Sequence, residues 1–81
     1  MTFSVQVKVM PLKELLDPQG KAVMSGLQSL GIQTVSDVRI GKQISLQVEA
    51  ASADEARKIA EEASRKLLAN PVMEYFEIAV N

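Results

Sequence analysis

Residues 2–9, TFSVQVKV, set Phe3, Val5, Val7 and Val9 on one side and Thr2, Ser4, Gln6 and Lys8 on the other. That is the period-two signature of a strand with one buried face. Residues 52–69 switch to a helical period: Ala56, Ile59, Ala60, Ala63 and Leu67 share one face behind the capping box Ser52-Ala53-Asp54-Glu55. On the other face Glu61 stands four residues before Arg65 and Glu62 four before Lys66, the favourable order for helical ion pairs. Asn70 offers a left-handed cap and Pro71 bars continuation.

The remaining segments fill in the order. Pro11 ends the first strand, and Asp17 directly before Pro18 is a helix start, an N-cap acceptor followed by a residue whose φ suits the first turn. Val23, Leu27 and Leu30 then form a stripe expected to face the core, and Gly31-Ile32 resembles a C′ glycine with its trailing apolar contact. Gly20 and Gly26 each weaken that helix by about 1 kcal/mol relative to alanine, which predicts close packing at both. Residues 34–49, TVSDVRIGKQISLQVE, read as two strands meeting at Gly41 and Lys42. Pairing Ile40 with Ile44 across a three-residue loop, or a bulge to the same effect, puts Val38 opposite Leu46 and keeps the apolar sets on one face. VMEYFEIAV at 72–80 supplies the last strand, with Val72, Phe76, Ile78 and Val80 on one side and Met73, Tyr75, Glu77 and Ala79 on the other. The expected architecture is α+β: a ferredoxin-like βαββαβ domain over residues 1–81, with a four-stranded antiparallel sheet and two helices on one face.

Composition narrows the function. With no cysteine and no histidine there is neither disulfide nor thiolate chemistry, and a transition-metal site would rest on carboxylates alone. Nine basic against ten acidic residues give a net charge of −1, without the excess that drives nucleic-acid binding, and the exposed strand positions carry no aromatic platform for stacking bases. No apolar run reaches the roughly 20 residues of a membrane span, and the N-terminus alternates instead of forming a signal-peptide block, so a cytoplasmic location is expected.

Two loops stand out. Asp17, Pro18, Gln19 and Gly20 place free N–H groups at a helix start, yet the stretch is neither GxxxxGK[ST] nor GxGxxG and Asp17 would repel a phosphate. An ordinary cap accounts for it, and a role in docking a partner is the functional alternative. Arg39 and Lys42 flank the expected hairpin tip at Gly41, solvated or engaging a phosphate or a partner carboxylate. Glu55, Glu61 and Glu62 are explained by capping and ion pairs, so no catalytic residue is assigned and catalysis by this chain alone is not expected. Helices on one face leave Val35, Met73 and Tyr75 facing away from them, a candidate oligomer contact beside the bland reading of scattered surface apolar groups.

Taken together, LLDPQGKAV, SLGI, VSDVRIGKQISLQVEA and KLLANPVMEYFEIAV resemble the PurS subunits of phosphoribosylformylglycinamidine (FGAM) synthase along essentially the whole chain. The resemblance implies a non-catalytic subunit of a purine-biosynthesis complex. In that complex a large synthetase subunit (PurL) binds ATP and Mg²⁺ and amidates formylglycinamide ribonucleotide, a glutaminase subunit (PurQ) supplies ammonia, and the small subunit joins them while holding no cofactor itself. It also implies homo-oligomers, with dimer and tetramer both open. Asp17, Pro18, Gln19 and Gly20, with Arg39, Gly41 and Lys42, become the candidate contacts to the large subunit. A ligand-sensing regulatory domain of ferredoxin-like fold is the rival from another class, since such domains bind small molecules at a glycine-bearing strand-to-helix loop.

Overall fold

A computed structural model describes residues 1–81. The order is β1 (Thr2–Pro11), α1 (Pro18–Ser29), β2 (Lys42–Glu49), α2 (Ala53–Ala63), a π-helical turn (Ser64–Leu68) and β3 (Glu74–Val80). β1 is the central strand of an antiparallel sheet of order β2-β1-β3. Val5 stands opposite Leu46 and Val80, and Val7 opposite Ile44 and Ile78, so the alternation in TFSVQVKV selects the face that α2 covers. Val5, Val7 and Val9 are fully buried there with Ala56 and Ala60, and Phe3, Ile44, Leu46, Phe76, Ile78 and Val80 close around them. Alanine at 56 and 60 lets α2 lie close on the sheet, which suits a thin core.

The fourth strand expected at residues 34–40 is absent: the sheet has three strands, and the hairpin with its Ile40-to-Ile44 register does not form. A three-residue hairpin loop wants one residue in the left-handed region, and none of Gly41, Lys42 and Gln43 has positive φ; Gly31 is the only residue that does. Gly41 serves close approach instead, since a Cβ there would strike the Met10 sulfur and the Val9 carbonyl oxygen. β2 pairs along β1 from Lys42 onward, and the preceding residues run off the sheet.

The helices also divide. α2 packs on all three strands, whereas α1 has no substantial packing on sheet or helix. The expected placement of both helices on one face therefore fails for α1. Its stripe is largely open, with Val23 43% and Leu30 78% exposed and Leu27 half-buried. The molecule measures 50 × 24 × 14 Å with a radius of gyration of 16.1 Å, against about 12 Å for a compact chain of this length. The length is that of an arm projecting from a small core.

The helix ends obey their sequence signals unevenly. At the end of α1, Ile32 N–H reaches Leu27 O at 2.9 Å and Gly31 N–H reaches Gln28 O at 3.0 Å, the paired bonds of a Schellman motif, with Gly31 at φ 85°. Asn70 does not take a left-handed cap. The chain leaves α2 through the π-helical turn, in which Ala69 N–H bonds to Ser64 O, five residues back. The extra residue in that turn rotates Leu67 out to 83% exposure and brings Leu68 against the core, which corrects the assignment of Leu67 to the buried face. Both i, i+4 ion pairs are present, Glu62 to Lys66 at 2.7 Å and Glu61 to Arg65 at 3.8 Å.

Candidate functional site

The two loops singled out above lie against each other at the root of α1. Asp17 caps the helix in extended conformation, and its Oδ1 accepts from Gly20 N–H at 3.0 Å. Its Oδ2 accepts from Ile40 N–H at 2.8 Å, twenty-three residues along the chain. Arg39 answers in the opposite direction: Nη1 donates to Leu15 O at 2.8 Å and Nη2 donates to Lys13 O. Its Nε lies 3.8 Å from the Asp37 carboxylate. Pro18 opens the helix as its first residue, where its missing N–H costs nothing. Gly20 is buried, and a Cβ there would overlap the Val38 carbonyl oxygen, so glycine is required for backbone approach and not for its dihedral freedom. Gly26, by contrast, faces open space, and the close packing expected there is not found.

Two shallow concavities flank this junction. One, of about 400 Å³, is lined by charged side chains from both loops, Lys13, Glu14, Asp17, Lys21, Asp37 and Arg39 among them. The other is bordered by Gln19, Ile40, Gly41, Lys42 and Glu74. Gln19, Gly41 and Lys42 thus sit together at the surface, while Asp17 and Arg39 turn their polar atoms onto neighbouring backbone. The oligomer candidates are dispersed: Tyr75 stands on the sheet face opposite α2, 36% exposed and across from Met10, Met73 lies in the turn before β3 at 54%, and Val35 is half-buried in the segment returning from α1. Sequence reasoning missed the acceptors Lys13 O and Leu15 O and the obstructing Val38 O, because every backbone carbonyl looks alike in a sequence.

The electrostatics of the junction centre on Asp17. Its carboxyl is held below the ordinary aspartate value of 3.8, first by the Ile40 N–H bond, then by the Gly20 N–H, with the Arg39 guanidinium adding to both. The folded carboxyl therefore binds its proton less readily than the unfolded one. Its contribution is complete above about pH 4 and fades as the pH falls through the lowered folded value. An amide spectrum recorded from pH 6 down to 2 is expected to hold the Ile40 and Gly20 resonances steady above about pH 4 and to shift both together below it. A shared midpoint at or above 3.8 would show that the carboxyl is not held low. Glu62 is lowered likewise by its Lys66 hydrogen bond, but on an open helix face where solvent screens the pair.

No cluster of three metal-ligating side chains occurs in the fold. The Gly20 N–H at the helix start is already taken by Asp17, which leaves the turn poorly suited to hold an anion. What the surface offers instead is exposed apolar side chains on and around the arm: Leu16, Val23, Leu30 and Ile32.

Residues 4–81 match the family model described as PurS, phosphoribosylformylglycinamidine (FGAM) synthase. The chain is 40% identical over 78 residues to the phosphoribosylformylglycinamidine synthase subunit PurS of Bacillus subtilis, covering 96% of this chain and 92% of that protein. It is 44% identical over 73 residues to the corresponding subunit of Mycobacterium leprae, covering 89% and 87%. Among solved structures, a chain of the PurLQS structure from Thermotoga maritima superposes with a TM-score of 0.92 at 31% identity, covering 100% of this chain and 99% of that one. This chain belongs to the PurS family.

Proposed function

We propose that the protein is the small, non-catalytic subunit of an FGAM synthase. It holds the ATP-dependent synthetase subunit and the glutaminase subunit in one complex, so that ammonia released from glutamine amidates formylglycinamide ribonucleotide in purine biosynthesis. The observation that carries this reading is the full-length superposition on a chain of the Thermotoga maritima PurLQS structure. ATP and Mg²⁺ belong to the large subunit in this reading, and the chain works as a homo-oligomer. The open arm supports that, since a stripe bearing Val23, Leu27 and Leu30 gains little stability until another surface covers it. Gln19, Gly41 and Lys42 are the proposed contacts to the large subunit, with Val35, Met73 and Tyr75 proposed at contacts between copies.

Reconstitution tests it. Glutamine-dependent amidation by the two larger subunits is expected to need this chain, whereas amidation with added ammonium salt is not. Lys42→Glu is expected to weaken complex formation by about tenfold with the thermal transition unchanged, as reversal of one exposed interfacial charge does. Full glutamine-dependent turnover without the chain would refute the assignment.

A further inference from the structure

The arm leaves the sheet through residues 12–17 and returns through residues 36–41, and no backbone–backbone hydrogen bond joins the outgoing path to the returning one. What crosses between them is Asp17 to Ile40, Arg39 to Leu15 and Lys13, and the Gly20 approach to Val38. Because α1 itself has no substantial packing on the sheet, no other element of the same protomer fixes its angle.

We propose that Asp17 and Arg39 are positioning residues: together they form a two-way clasp that sets the direction in which α1 projects, and they act on assembly through the arm and not by touching a partner subunit. The chemistry of the two groups fits the task. A carboxylate can accept from two N–H groups at once, here one in the first turn of α1 and one on the return path, and a guanidinium fork can donate to two carbonyls of one loop, Leu15 O and Lys13 O. The carboxylate draws the return path to the helix, and the guanidinium draws the outgoing loop to the return path, so each bond restrains the other. With one broken, the junction has the few exposed bonds typical of segments that open locally. The consequence for assembly rests on the function proposed above; the clasp itself does not.

The chain has no cysteine, so probes can be placed at will. Nitroxides at Ser29→Cys, the last residue of α1, and Gln47→Cys, on the exposed face of β2, report the arm's angle. Dilution with unlabelled chain confines the readout to distances within one protomer. The parent is expected to give one narrow distance distribution. Asp17→Asn keeps an oxygen for the Gly20 N–H but turns an amide donor toward the Ile40 N–H, and is expected to broaden that distribution by about twofold or more. Arg39→Ala, which leaves the helix cap intact, is expected to do the same. Slow exchange of the Val5 and Val7 amides should persist in both variants, because the core lies apart from the junction. Distributions as narrow as the parent's in both variants overturn the proposal, as does broadening accompanied by loss of core protection. Complex formation with the two larger subunits is read separately: broadened variants that still assemble with parental affinity leave the clasp standing and remove the arm from the assembly role.

Discussion

Gly20→Ala is expected to weaken the protein even though alanine is the better helix former. Intrinsic propensity favours the substitution by about 1 kcal/mol. Against it stands a Cβ placed into the Val38 carbonyl oxygen, with Asp17 Oδ2 a further 2.9 Å neighbour. The obstructing atom is backbone, so no rotamer change relieves it; either α1 or residues 36–40 must move. Overpacking of that kind costs about 1–3 kcal/mol, and the movement also parts Asp17 from Ile40. The expected result is loss of the Ile40 amide's protection and weaker complex formation, with the sheet and α2 intact. Gly26→Ala is the control, because nothing lies within 4 Å of a Cβ there. It should raise helix stability by about 1 kcal/mol in the isolated chain. Equal behaviour of the two variants in thermal unfolding and partner binding would show that Gly20 is not a contact glycine.

The largest effect on stability is expected from Val7→Ala. Val7 is wholly buried at the middle of the central strand, opposite Ile44 on one side and Ile78 on the other. Removing two methyl groups from such a site costs about 2–3 kcal/mol, and the rigid β1 backbone limits collapse into the space. In a domain of this size each kcal/mol lowers Tm by about 4–8 °C, so a fall of about 10–20 °C is expected by circular dichroism. A small core leaves few other contacts to absorb the loss. Val23→Ala removes the same groups from a half-open position on α1 and should leave Tm of the isolated chain within about 3 °C. A drop of that size for Val7→Ala as well would mean that the sheet face under α2 is not the packed core.

The two loops show how far a motif can be read. LLDPQGKAV reads locally as a helix cap and VSDVRIGK as a solvated hairpin tip, with docking as the functional alternative for each. Their first partner is each other. Asp17 reads as a cap because an aspartate before a proline has that local use, and it has it here; its second oxygen is taken by Ile40, a contact across twenty-three residues that no local rule encodes. The same limit explains the missing strand. Val38 and Ile40 alternate with Asp37 and Arg39 as in a strand, with Val35 out of phase, but strand formation needs a neighbour offering N–H and C=O groups, and Gly41 is placed for approach to Met10 and Val9 instead of for a reversal.

By itself the sequence determined the elements whose signals are local. The valines of β1 choose a face by alternation, Asp17-Pro18 and Ser52 start the helices, and Gly31 ends α1 by accepting a positive φ. Those outcomes depend on steric and hydrogen-bond preferences acting over a few residues. The tertiary structure alone decided where α1 goes, whether residues 34–40 find a strand partner, and which of Leu67 and Leu68 packs against the core. Each of these turns on which distant backbone or apolar surface is within reach, and one extra residue in a π-helical turn or a single carboxylate bond is enough to settle it.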